Sequence, residues 1–159
     1  MPKGRTFKLP GFRQWVGDIQ QVTAKAAAQE IVRDLIVLGP WYSGQFAKNW
    51  AVRPGDVRIP ATVEQGDKVK TPRVEIPIPV VPSLRGTGRK KIGYTIANRT
   101  RYRDIAMDLV PGRVKTPEGS SAPQDWYRDY AEGGNLTLTL KAATGIAAAD
   151  PKIRGFKGQ

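Results

Sequence analysis

The chain contains no cysteine and no histidine. The first absence excludes disulfides, thiolate metal centres and cysteine nucleophiles. The second removes the usual general base and the commonest zinc ligand. Long apolar runs are missing too: no stretch reaches the roughly 20 residues needed to span a bilayer. The opening MPKGRTFKLPGF is basic without an apolar segment behind it, unlike a secretory leader. The expectation is a protein made in the cytoplasm, with no membrane partner. Acid is scarce relative to base, 14 Asp and Glu against 26 Lys and Arg, for a formal net charge of +12. Such a surplus either draws an anionic partner, nucleic acid first, or keeps a subunit soluble until it assembles; charge alone does not choose between them.

What is present is enough for one domain. With 159 residues, 40% of them hydrophobic, the chain can bury a real core. Thirteen prolines and seventeen glycines imply extended connections, hence a compact body with arms. Residues 1–11 read as a basic tail carrying Lys3, Arg5 and Lys8, residues 12–149 as a single α+β domain, and residues 150–159 as a second basic tail.

From Phe12 to about Val37 the apolar residues recur at helical steps: Phe12, Trp15, Ile19, Val22 and Ala26, then Val32, Leu35 and Ile36. The small residues of AKAAA would let another element approach closely, and Gly39-Pro40 ends the helix. NWAVRP and VRIPATVEQ then read as short strands, and ATVEQ with KVKTPRVEIPIPVV as a hairpin around Gly66-Asp67. Prolines 72, 77, 79 and 82 demote the latter to an edge strand or an extended arm, about 72–82. IGYTIANRT reads as a further strand with Ile92, Tyr94 and Ile96 on one face, followed by a short helix in YRDIAMDLV. Residues 111–125 read as a long exposed loop, a length usually tied to function or interaction. NLTLTLKAATGIAAA reads as a helix with Leu136, Leu140, Ala143 and Ala147 on one face. The fold class expected is therefore α+β: a long N-terminal helix on an antiparallel sheet, a shorter C-terminal helix and extended arms.

Catalytic patterns fail one by one. The serines have no nucleophile-elbow context. Asp104 with Asp108, and Asp125 with Asp129, stand four apart and could share a helix face for a hard cation, but a solvated face is the more economical reading. RGTGRKKIG has neither phosphate-loop nor dinucleotide spacing. No enzyme activity and no cofactor is expected. The segment Arg85–Arg103 is different, since it holds Arg85, Arg89, Lys90, Lys91, Arg99, Arg101 and Arg103 without one acid, interleaved with Tyr94 and Tyr102. It is a candidate contact for phosphates, or for a neighbouring subunit. Residues 104–132 carry six acids against three bases. A basic stretch beside an acidic one suits a head-to-tail contact that closes a ring.

The aromatic stretch GPWYSGQFAKNWAVRPGD, residues 39–56, remains to be placed. A long helix, then SGQFAKNWAV, then β-rich segments and GYTIANRTRYRDIAMDLVPG resembles the small neck and tail-completion proteins of tailed bacteriophages. Gly44, Phe46, Asn49 and Trp50 match that family's first motif, with Ser43 where threonine is usual; Ile96, Asn98, Tyr102 and Asp108 match its second. A second Tyr-Arg-Asp copy follows at 127–129, and segment 72–82 has no counterpart. Physically, Phe46 and Trp50 can pack together to seal the sheet, Asn49 can satisfy backbone groups at the turn, and Trp41 and Tyr42 belong either to the same corner or to a subunit contact.

The resemblance implies a structural virion protein of the phage neck, without a reaction. Copies would form a homo-oligomeric ring, a hexamer or dodecamer, between head connector and tail. Its partners would be itself, neighbouring neck and tail-tube proteins, and double-stranded DNA in transit, held without sequence preference. The alternative is a non-specific basic nucleic-acid-binding protein.

Overall fold

The computed structural model describes residues 12–64, 69–84, 93–107 and 125–154. In chain order these contain α1 (Phe12–Leu38), α2 (Gln45–Lys48), β1 (Trp50–Pro54), β2 (Tyr94–Asn98), α3 (Arg103–Ala106), α4 (Trp126–Glu132), α5 (Asn135–Ala149) and α6 (Pro151–Arg154). The architecture is α+β: the long helix α1 packs on a two-stranded antiparallel sheet and on the C-terminal helices.

α1 forms where its apolar stripe predicts, and the stripe has two uses. Its C-terminal half, Ala28, Val32, Leu35 and Ile36, enters the main core. Its middle meets α5 through alanines, with Ala26 against Ala143 and Ala147, and Val22, Ala27 and Ile153 at the margin. Small side chains on both helices let the backbones come close, so a modest apolar area is packed densely. Helix termination at Gly39 has a steric cause. Its N–H donates to the Leu35 carbonyl at 3.2 Å, and a Cβ there would lie 2.6 Å from that same oxygen. The Trp126 ring closes off the other side. No side chain fits.

β1 and β2 pair in the register Trp50↔Asn98, Val52↔Ile96 and Pro54↔Tyr94. Alternation places these residues on the face turned to α1, where Trp50, Val52 and Asn98 are buried. Ile92 of the expected face lies outside the described residues, as do residues 111–124 of the expected loop.

Three expectations need correcting. The hairpin around Gly66-Asp67 does not form as read: residues 65–68 lie outside the described residues, and their flanks carry no strand. Val63 alone makes a bridge, parallel to Thr100. Prolines at 60, 72, 77, 79 and 82 remove the N–H donors a ladder needs. On α5 the buried face is Thr139, Ala143 and Ala147, while Leu140 is 42% exposed. Thr139 can turn inward because its hydroxyl finds partners in Asp34 and the Asn135 carbonyl. Within the segment read as a C-terminal tail, Pro151–Arg154 form one helical turn, started by Asp150 Oδ1 accepting from the Lys152 N–H.

The proline-rich segment lies along the body. Ile76 and Ile78 pack on the core and Val81 is buried, while Val74 and Val80 face outward. Most of its hydrogen bonds run from side chain to backbone. Arg73 donates to the Ile36 and Val37 carbonyls at the end of α1, Trp41 Nε1 donates to the Thr71 carbonyl at 3.0 Å, and Tyr94 Oη donates to the Pro82 carbonyl at 2.6 Å. A guanidinium at a helix C-terminus satisfies orphan carbonyls and meets the negative end of the dipole.

Candidate functional site

Of the residues that carried the family resemblance, Gly44, Phe46, Asn49, Trp50, Asn98 and Tyr102 converge on one corner, and Asp108 lies outside the described residues. The corner is set by Gly44, whose φ of 74° is left-handed and whose missing Cβ leaves room for the Trp41 ring, 2.9 Å from where that atom would sit. The turn throws Phe46 inward at the start of a single helical turn, and Trp50 follows at the head of β1. The two rings meet edge-on at 5.5 Å. Phe46 also meets Tyr102 at 6.2 Å and Trp126 edge-on at 6.2 Å. It is the hub of four aromatic groups drawn from distant parts of the chain, each pair contributing about 0.5–1.5 kcal/mol beyond its burial.

Polar side chains lock the corner to the sheet. Asn49 Nδ2 donates to the Gln45 carbonyl at 2.7 Å, closing the turn on itself, and the Asn49 carbonyl accepts from the Arg99 N–H. Asn98 is fully buried. Its Nδ2 donates to the Phe46 carbonyl at 2.8 Å, while its Oδ1 accepts from both the Thr100 N–H and the Thr100 hydroxyl. Both motifs are thus joined by a hydrogen bond and a ring contact. The Trp50 indole N–H has no hydrogen-bond partner although it is buried.

Burial raises the Tyr102 phenol above its ordinary value. The same cause raises Tyr94, and burial leads several smaller influences on Tyr130, where its hydrogen bond to Thr139 pulls the other way. Trp41 is core: it is buried, hydrogen-bonded to segment 69–84 and covered by the Arg73 guanidinium 5.7 Å from its ring. Tyr42 is half-buried, and its carbonyl accepts from the Thr71 N–H.

The basic segment is placed only in part. Arg85, Arg89, Lys90 and Lys91 lie outside the described residues. Arg99 is exposed and donates to the Thr62 hydroxyl; Arg101 pairs with Glu64 at 2.6 Å, both well exposed. Arg103 works inward, donating to the Ile59 carbonyl at 3.2 Å and the Asn98 carbonyl at 3.0 Å. Tyr94 and Tyr102 are committed to the body, so neither offers a free face for a base. Asp104 lies beside Arg103, Asp125 pairs with Arg128, and Asp108 is outside the described residues. Among the described residues no acidic cluster could hold a metal ion.

Sequence reasoning missed two members of the site. Trp126 sits at the centre, its Nε1 donating to the Ala106 carbonyl at 2.7 Å, yet it stands next to a stretch read as loop. The one available signal was its place at the head of the second Tyr-Arg-Asp copy, whose Tyr127 meets it edge-on. Arg73 gave no signal, because a lone arginine among prolines reads as solvated. Comparison with family models, with curated proteins and with solved structures finds no match.

Proposed function

We propose that the protein is a structural subunit of a tailed-phage neck, assembling into a ring that joins head connector and tail around the DNA channel. The observation that carries the reading is the convergence of Gly44, Phe46, Asn49 and Trp50 with Asn98 and Tyr102 into one rigid corner. The two motifs, some fifty residues apart in sequence, lie side by side where β1 pairs with β2. In this reading the corner fixes the subunit, and the basic N-terminal tail, loop 111–125 and the outward side of segment 72–82 meet neighbouring rings. Virion assembly would take place in the host cytoplasm.

The alternative, a non-specific nucleic-acid binder, draws on the net charge of +12. Against it, Arg101 and Arg103 are occupied by partners of the same chain. Light scattering across protein concentration, with and without short duplex DNA, separates the two. A discrete hexamer or larger ring without DNA supports the neck reading. A monomer that binds duplex, with affinity falling steeply as salt rises, supports the alternative.

A further inference from the structure

α5 packs its alanines on α1 and leaves a second apolar side uncovered. Leu138 is 65% exposed and Ile146 51% exposed, with exposed Ala142 midway between them. Four-residue spacing aligns the three as one ridge. Gly145 beside the ridge has open space where a Cβ would be. In fifteen residues α5 carries one charge, Lys141, in a protein otherwise rich in charge. Such a face is poorly suited to water and well suited to a second helix.

The charges beyond its two ends identify that helix. Exposed Asp129 and Glu132 lie before the N-terminus of α5, and exposed Lys152 and Arg154 lie after its C-terminus. None of the four has an ion-pair partner among the described residues. We propose that α5 pairs antiparallel with α5 of a second copy of this chain, about a two-fold axis at Ala142. Leu138 then lies against the partner's Ile146, the acidic end of each copy lies by the basic end of the other, and the helix dipoles oppose. A parallel pair would set like charges together. The contact does not rest on the neck reading. It closes on itself and leaves other surfaces free for head-to-tail contacts.

The chain's lack of cysteine makes the axis directly testable. Ala142→Cys, treated with a short bifunctional thiol reagent, should give a covalent dimer in high yield, and Lys48→Cys, exposed on α2, should give little. In light scattering Leu138→Glu should raise the dimer dissociation constant at least about tenfold, with an unchanged circular dichroism spectrum because the site is exposed. Glu132→Lys should also weaken the dimer, and adding Lys152→Glu in the same chain should restore it. Monomer at every concentration, equal cross-linking at positions 142 and 48, or a double variant no tighter than Glu132→Lys would each overturn the proposal. A ring that forms with Leu138→Glu as readily as without it, and contains no α5 cross-link, would also overturn it while leaving the neck reading standing.

Discussion

The side-chain amide of Asn98 donates to the backbone carbonyl of Phe46 at 2.8 Å, across 52 positions of sequence and inside the core. It ties the end of β2 to the turn that opens β1, and its other amide atom holds Thr100. A single buried side chain therefore satisfies three polar groups that water cannot reach.

Removing it should be costly. Asn98→Ala orphans both Thr100 donors and leaves the Phe46 carbonyl only its bond from the Asn49 N–H, for a loss of about 2–4 kcal/mol. Asn98→Asp keeps the acceptor and loses the donor to Phe46, placing a carboxylate where an amide fitted, and should destabilise at least as much at neutral pH. Urea denaturation of the three proteins reads both effects. A midpoint unchanged in Asn98→Ala would contradict this account of the corner.

The two central tryptophans should respond differently to one chemical change. Trp126→Phe loses a donor to the Ala106 carbonyl, whereas Trp50→Phe removes a buried N–H that has no partner. Both lose ring volume, so the difference isolates the polar atom. Trp126→Phe is expected to be the more destabilising by about 1–3 kcal/mol, measured as the gap between their denaturation midpoints scaled by the common slope.

Arg73 holds the proline-rich segment to the end of α1 and covers Trp41. Arg73→Met keeps most of the stem and removes every donor. Segment 69–84 should then open locally while the body keeps its fold. Hydrogen exchange should rise at the Thr71 amide, which donates to the Tyr42 carbonyl, with the exchange of α1 nearer its middle unchanged. Loss of protection throughout α1 would mean that Arg73 supports the whole domain.

High pH should loosen the fold in a defined direction. Tyr94, Tyr102 and Tyr130 have phenols raised above the ordinary value of 10.0, with burial the leading cause. The folded state therefore holds these protons more tightly than the unfolded chain does. Their contribution is fully present below pH 10 and is lost as pH rises through the folded values. Stability measured from neutral pH to about pH 11 should fall above pH 10 in the parent and less steeply in Tyr102→Phe. An equal slope in both would remove Tyr102 from the explanation.

Much of this molecule was legible in its sequence, for local reasons. α1 and its end followed from apolar spacing and from Gly39-Pro40, and both strands of the sheet followed from short β-rich runs. The packing of Phe46 on Trp50 followed from their spacing beside a glycine, and the close approach to α1 from its alanines. Each rests on periodicity, on steric limits at one residue, or on neighbours a few positions apart.

Only the tertiary structure decided the rest. That Asn98 meets Phe46, that Trp126 completes the aromatic hub, that Thr139 rather than Leu140 turns inward, and that Arg103 binds carbonyls instead of facing solvent all depend on distant partners. A polar side chain is buried when the groups around it satisfy its hydrogen bonds, and those groups are assembled by the fold. The proline-rich segment makes the same point. Its sequence forbids a ladder, but whether it leaves the body or lies on it was fixed by carbonyls at the end of α1 and by an indole N–H, which become available only once the helix and the corner are in place.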